Sequence, residues 1–362
     1  MAGVARGEAY ATLVYGDTPA ACAAVVLGIT LRRHDPTRER IAIVRDLSNR
    51  TREVLTRGGL WRLHEARAGG AVGRRRRFVE TLSRKNELWR LPYSRVLYLD
   101  ADTFLLRDPA TRPGMRSARL RRLWSRHAAL DESEGARLGA TGVMPAQHRN
   151  YTLASTCFNG GFLLLRPSAS VADSLDRIDP HAALRRPEPL SGRRCPGLDQ
   201  PLLNRAFPPS SWRRIADSDW LSVTHWLASP AYPRTCSLET GDALSEAADA
   251  YHFFHQNSPT ENEHCAACVR GGMRCRSIVP MKLECTVQGV ANQLFWQELL
   301  GTEIAPAIRR TCLELTEQTI TMTEGDVDAS EGAGRRRRAA AKLRLRAGMC
   351  TGCAKRPRPA CF

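Results

Sequence analysis

No stretch of the chain approaches 18 consecutive apolar residues, so no membrane-spanning helix is expected. Cysteine is sparse over most of the length. Only Cys22, Cys157, Cys195 and Cys236 precede residue 260, and the other eight lie between Cys265 and Cys361. Such density in one segment reads as disulfides in an oxidising lumen, or as a metal site in the cytosol. Cys265-x2-Cys268-x6-Cys275-x9-Cys285, beside His264, offers zinc ligands, although its spacing matches no standard module. Acidic residues are missing altogether from residues 335 to 362, which hold ten Lys or Arg. That tail supplies +10 of the formal net charge of +17, and everything before it +7. It buries too little apolar surface to offset its ordering entropy and is expected to be disordered. Neither a recognised nucleic-acid module nor interleaved aromatics accompany the arginines, so nucleic acid is not an expected partner. The basic tail suits contact with acidic acceptors or, peripherally, with an anionic membrane. Met1 to Glu8 lack the build of a signal or transit peptide and run straight into a strand, which points to the cytoplasm. If the natural start lies upstream, the cysteines and the sequons Asn49-Arg50-Thr51 and Asn150-Tyr151-Thr152 point instead to a Golgi or secretory lumen.

What is present is ordinary globular material. At 362 residues, 43% hydrophobic and 25% charged, the chain has room for one large domain plus an appendage. Ala9 to Tyr15 reads as a first strand, with Thr18 capping a helix that carries Pro19 at its first position. Ile41 to Arg45 is a second strand. Ser48 caps a helix ending at Gly58-Gly59, and Leu60 to His64 is a short third strand. Strand, helix, strand, helix, strand opens a Rossmann-like α/β sheet. Arg74 to Arg77 precede a helix expected over about 78 to 90, and the run reads as a solvated loop before it reads as anything that binds. Arg116, Arg119, Arg121, Arg122 and Arg126 mark a basic amphipathic piece inside the connection from 107 to 150.

The most informative stretch is Arg95-Val96-Leu97-Tyr98-Leu99-Asp100-Ala101-Asp102-Thr103. Its apolar run reads as a strand buried on both faces that stops at two acids. Alternation along extended backbone would put Asp100 and Asp102 on one side. Paired carboxylates repel and lose hydration, so the arrangement favours a hard cation such as Mn²⁺, with Mg²⁺ second. Taken alone, Asp-x-Asp is more often a turn. Phe158-Asn159-Gly160-Gly161 before Phe162 to Leu165 is a second such place, because adjacent glycines admit close backbone approach. Asp199 reads as the cap of a short helix with Leu202, Leu203 and Phe207 on its apolar face. Ala250 to His255 is a late strand carrying His252 and His255.

In this order these segments resemble glycosyltransferase family 8, the glycogenin-like retaining transferases with a GT-A fold. The resemblance covers about residues 9 to 260. It rests on the opening strand through Asp17, Lys85 four residues before Trp89, Leu97-Tyr-Leu-Asp-Ala-Asp-Thr103, Phe158-Asn-Gly-Gly161, and Leu198-Asp-Gln200 with Leu202-Leu-Asn204. It implies an α/β, Rossmann-like mixed sheet flanked by helices, with a Cys-rich C-terminal extension. The expected organisation is a transferase domain at 9–260, a Cys-rich extension at 261–320, an acidic linker at 321–334 and a basic tail at 335–362.

The resemblance also implies the roles. Asp100, Asp102 and His252 would be metal ligands, with Asp100 also near the ribose. Leu13, Tyr15, Lys85, Asn159, Gly160 and Gly161 would line the donor, and Asp199 and Gln200 would stand at the reacting sugar. The implied reaction moves a hexosyl, pentosyl or uronosyl group from a UDP-sugar to a carbohydrate, protein or lipid acceptor. The family's His-Phe-x-Gly-x-x-Lys-Pro-Trp segment is only partly kept. His252-Phe253 and Pro259 are in register, whereas His255 replaces the Gly, Ser258 the Lys and Thr260 the Trp. A phosphate-contacting lysine is thereby missing, which keeps a non-catalytic UDP-sugar or polyanion-binding protein as the alternative.

Overall fold

Ten residues, Arg6–Tyr15, form the first strand, β1, and its position decides the rest of the architecture. The structure is a computed structural model. It describes residues 6–67, 84–105, 112–128, 138–142, 158–178, 200–208, 211–214, 220–222, 253–255 and 311. After β1 come α1 (Pro19–His34), β2 (Glu39–Arg45), α2 (Asn49–Thr56) and β3 (Arg62–Glu65). A 3₁₀ helix over Arg84–Arg90 leads into β4 (Tyr93–Leu99) and β5 (Thr103–Leu105). Then follow α3 (Met115–Ala128), β6 (Leu138–Gly142), β7 (Phe158–Leu165), α4 (Ala169–Asp176) and α5 (Gln200–Ala206). Three short strands close the order: β8 (Trp212–Arg214), β9 (Trp220–Ser222) and β10 (Phe253–His255).

The main sheet has seven strands in the order β3-β2-β1-β4-β7-β6-β8. β1 runs parallel to both β2 and β4, β2 parallel to β3, and β7 antiparallel to both β4 and β6. The chain therefore builds outward from β1 to β3 on one side, then returns to place β4 on the other. Where the winding direction reverses, the loops at the carboxyl ends of two neighbouring strands part and leave a crevice. Here that crevice lies between β1 and β4. A second, three-stranded sheet in the order β5-β10-β9 begins immediately beyond β4.

Local chemistry explains most boundaries. Thr18 stands at the N-cap of α1 with Pro19 next, as expected, but its hydroxyl donates back to the Tyr15 carbonyl at 3.4 Å instead of capping. Ser48 does cap α2, its Oγ accepting from Thr51 N at 3.2 Å. α2 stops where Gly58 and Gly59 adopt φ of 62° and 69°, which other residues reach only with strain. The element before β4 differs from the expected α-helix: its described part, Arg84–Arg90, is 3₁₀. The expected segment from Arg74 to about residue 83 lies outside the described residues.

One face of the sheet packs Ala9, Ala11, Ile41, Val96 and Tyr98 against Leu88, Trp89, Leu175, Leu203 and Phe207. Trp89 and Phe207 stack at 5.3 Å with their planes 18° apart, which ties the 3₁₀ helix to α5. Across the sheet, buried Tyr10 donates to Asp35 Oδ2 at 2.8 Å and accepts from Trp124 Nε1 at 3.1 Å. Burial and the Asp35 carboxylate raise the Tyr10 phenol well above its ordinary value, so it stays neutral.

α1 meets the loop before β3 at Gly28. A Cβ there would lie 2.5 Å from Trp61 Nε1, whose own hydrogen bond goes to the Ala24 carbonyl at 2.8 Å. Gly28→Ala gains roughly 1 kcal/mol of helix propensity. Overpacking against the buried indole costs about 1–3 kcal/mol, and the displaced N–H adds to that. Urea denaturation is expected to show net destabilisation for Gly28→Ala; a midpoint at or above wild type would contradict the close contact.

Candidate active site

β4 is too short to carry the Asp-Ala-Asp motif on extended backbone. Its ladder ends at Leu99, and Thr103 N donates to the Asp100 carbonyl at 2.9 Å, closing a turn over Asp100–Asp102. The two acids therefore stand on a turn and not on extended backbone, so strand alternation does not relate their carboxylates. The reason is topological: β5 belongs to the second sheet, so the chain must bend between Leu99 and Thr103. Both acids are half-buried at the carboxyl end of β4, beside the reversal in winding.

β7 brings the second motif to the same level. Leu99 pairs with Phe162, and Asp100 N donates to the Gly161 carbonyl at 2.9 Å, so Asn159, Gly160 and Gly161 run alongside the acidic turn. Asn159 Oδ1 accepts from Gly161 N at 2.7 Å and so shapes the di-glycine backbone. Asn204 of α5 grips the same strand end from outside. Its Oδ1 accepts from Phe158 N at 2.8 Å, and its Nδ2 donates to the Phe158 carbonyl at 3.0 Å.

Lys85 joins the two motifs. Buried at 7% exposure, it donates from Nζ to Asp100 Oδ1 at 3.1 Å and to the Gly160 carbonyl at 2.8 Å. The ammonium also sits 4.7 Å from the centre of the Tyr98 ring, and the Tyr98 hydroxyl donates to the same Asp100 oxygen. Asp100 is therefore held by two donors from within the fold. Leu13 and Tyr15 lie on the neighbouring strand, two and four residues beyond Ala11, which pairs with Tyr98. Both are half-buried, on the face of β1 that Ala9 and Ala11 turn to this side. Beyond them Asp17 Oδ1 accepts from Ser48 N at 3.0 Å. Burial pushes the Asp17 carboxyl up, but bonds from Thr51 and Ser48 outweigh it and hold the pKa below the ordinary value.

The remaining expected residues are placed less completely. Gln200 is the first residue of α5, one turn before Asn204; Asp199 and His252 lie outside the described residues. β10 pairs antiparallel with β5 with His255 opposite Thr103, so the chain of β10 runs toward the acidic turn and its His255 end is the near one. Among the described residues no group of three or more His, Cys, Asp or Glu side chains forms a metal cage. Two carboxylates on one turn are hard-oxygen donors of the kind Mg²⁺ and Mn²⁺ select, so this pair fits such an ion. One contributor escaped the sequence reading, and a second was legible only in part. Tyr98 looked like strand filler, and Asn204 was legible only as part of a motif. Its signal was a polar residue directly after the buried Leu202 and Leu203.

No protein-family model matches the chain, and no curated protein matches it. Solved structures do. An active-site mutant of LgtC aligns with a TM-score of 0.51 at 15% identity, over 84% of this chain and 99% of that one. The galactosyltransferase LgtC in complex with donor and acceptor sugar analogs gives 0.49 at 15% identity over the same shares. Mouse xyloside xylosyltransferase 1, apo form, gives 0.38 at 13% identity over 69% of this chain and 98% of that one. The fold is thus the GT-A-type α/β sheet flanked by helices that the sequence led us to expect. The cysteine-rich extension lies outside the described residues, apart from Thr311. That residue is buried and accepts from Arg50 Nε of α2 at 3.2 Å.

If Lys85 ties the turn to β7, its effect must depend on Asp100. A double-mutant cycle of Lys85→Met and Asp100→Ala is expected to give a coupling of about 1–2 kcal/mol in chemical denaturation, moderated because Asp100 is part-exposed. Additive effects would mean the pair contributes nothing as a pair.

Proposed function

We propose that this protein is a retaining glycosyltransferase that moves a sugar from a UDP-sugar donor to an acceptor hydroxyl, with Mn²⁺ or Mg²⁺ at the Asp100–Asp102 turn. The observation that carries the reading is the meeting of that turn, Lys85 and the Asn159-Gly160-Gly161 segment at the crevice where the winding of a GT-A-type sheet reverses. The fold shared with the active-site mutant of LgtC, a galactosyltransferase, supports glycosyl transfer as the reaction class.

In this assignment Leu13 and Tyr15 wall the nucleoside end of the crevice. Gly160 and Gly161 have no side chain to fill the space beside the acidic turn, so the donor sugar can approach their backbone. Asp100 and Asp102 would hold the cation, which supplies Lewis-acid neutralisation of the leaving diphosphate. Lys85 and Tyr98 hold the Asp100 carboxylate at the turn, which reduces the reorganisation that catalysis would otherwise require. Asp199 would accept hydrogen bonds from the sugar hydroxyls. Gln200, at the start of α5, would lie near the anomeric carbon; an amide is a poor nucleophile, so we assign it orientation. The bond from the anomeric carbon to the diphosphate oxygen breaks, and the acceptor oxygen bonds on the same face. The acceptor proton passes to the departing diphosphate.

Release of UDP and free sugar from UDP-glucose, UDP-galactose, UDP-xylose and UDP-glucuronate, with Mn²⁺ or EDTA, tests the reading. At least one donor is expected to turn over only with the cation, and Asp102→Asn should lower kcat at least 100-fold, about 2.7 kcal/mol on the barrier. UDP binding that is equal in both conditions removes the metal from the proposal. UDP-sugar binding without turnover of any donor leaves the non-catalytic alternative.

The histidine ligand is a separate question. Motif register nominates His252, whereas strand pairing brings the His255 end of β10 to the acidic turn. We therefore expect His255→Ala to weaken Mn²⁺-dependent UDP binding at least tenfold, about 1.4 kcal/mol, and His252→Ala to do less. The opposite ranking would restore the motif register.

A further inference from the structure

The crevice lies at the carboxyl ends of β1 and β4. At the opposite, amino ends of β2 and β3 is a second concavity, an open cavity of about 610 Å³. Its walls include Thr37, Glu39, Arg40, Thr56, Gly59 and Arg62. The length of β2, Glu39 to Arg45, separates the two ends by roughly 20 Å. The volume is that of a small-molecule site.

Charge around this cavity does not balance. Arg38 and Arg95 pair with Glu8, Arg38 also pairs with Asp35, and Arg62 Nη2 lies 3.6 Å from Glu39 Oε2. Arg32 and Arg40 are left over, and neither pairs with a carboxylate among the described residues. Half-buried Arg40 donates to the carbonyls of Leu60 at 3.0 Å, Gly59 at 3.2 Å, Arg38 at 3.3 Å and Asp35 at 3.5 Å. Arg32 donates to the Gly58 carbonyl at 2.8 Å. Two guanidinium groups thus converge on adjacent carbonyls of the Gly58-Gly59 turn. Their acceptors satisfy hydrogen bonds but carry no charge. Burial, and next Arg32, lowers the Arg40 pKa against the opposing pull of Asp35. Two positive charges held together beside a cavity are a cost that a bound anion would relieve.

We propose that this cavity binds a small phosphorylated polyol, of the sugar-phosphate class. A phosphate monoester carries close to two negative charges at neutral pH, which matches the two arginines left over. Arg62, at the rim, makes its contacts to the Tyr93 hydroxyl and Glu39 through Nη2, so Nε and Nη1 face no partner among the described residues. Glu39 selects against a bare polyphosphate, since its exposed carboxylate repels a further phosphate and accepts hydrogen bonds from hydroxyls. A Cβ at Gly59 would meet nothing within 4 Å, so the turn borders open space that a ligand can fill.

Isothermal titration of the full chain with glucose 6-phosphate, inorganic phosphate and glucose is the test. Glucose 6-phosphate is expected to bind, inorganic phosphate at least tenfold more weakly, and glucose not detectably. Arg62→Gln and Arg40→Gln should each weaken the ester at least tenfold. Arg177→Gln, an exposed arginine just after α4, should stay within twofold of wild type. Arg40 also holds backbone carbonyls, so thermal melts accompany each variant; if Arg40→Gln fails to fold, Arg62→Gln decides alone. Equal affinity for phosphate and ester would make this a free-phosphate site. Equal loss in Arg177→Gln would reduce the effect to net charge, and unchanged binding in Arg62→Gln would put the ligand elsewhere. Each of these overturns the proposal, as does an ester that does not bind. No arm uses UDP or a divalent cation, so the outcome is independent of the transferase reading.

Discussion

A buried ammonium group must be matched by acceptors, and Lys85 finds its matches where separate chain segments end. The Asp100 carboxylate closes β4, the Gly160 carbonyl opens β7, and the Tyr98 ring forms the floor between them. Removing the Asp100 carboxylate would leave the ammonium with the Gly160 carbonyl and the Tyr98 ring, a poorer match for a buried charge. The requirement propagates outward. β7 must start at the level where β4 stops, and Asn204 then fixes α5 to the same strand end through both backbone groups of Phe158. Trp89, four residues after Lys85, stacks on Phe207 just past the end of α5. The 3₁₀ helix, the two strand ends and α5 thus form one closed ring of contacts around the acidic turn.

Much of this was legible in the sequence because it depended on short-range signals. Thr18-Pro19, Ser48 and Gly58-Gly59 mark boundaries through local backbone chemistry, and Val96 to Leu99 and Phe162 to Leu165 are apolar enough to be central strands wherever they pair. The outer strands carried no such mark. Leu138-Gly-Ala-Thr-Gly142 has two glycines and little β-propensity, and it becomes a strand only because β7 and β8 flank it. Trp212–Arg214 and Trp220–Ser222 are three residues each, below the length at which alternation can be seen.

The site was legible in identity more than in geometry. The motif spacing brought Asp100, Asp102, Lys85 and the di-glycine into one list, and the fold brings them into one place. Two geometric inferences depended on long-range pairing, which a linear pattern does not contain. Alternation assumed that β4 continues through Asp102, and the bend into the second sheet removes that premise. Motif register names His252, which lies outside the described residues, and the pairing of β10 with β5, roughly 150 residues apart in sequence, sets the backbone of His255 opposite Thr103.

The central position of β1 also bears on how the chain is made. β1 is synthesised before either of its partners, and its β2 edge is satisfied early, by a helix and a strand that follow at once. Its other edge waits for β4: Tyr10 pairs with Leu97 and Ala11 with Tyr98. During synthesis the nascent half-sheet β3-β2-β1 therefore presents an apolar, unpaired edge, the kind of surface on which growing chains associate wrongly. The arginines at 74 to 77 emerge inside that interval, before the missing strand. Four positive charges thus precede the missing strand in the order of synthesis, and like charge opposes association between growing chains.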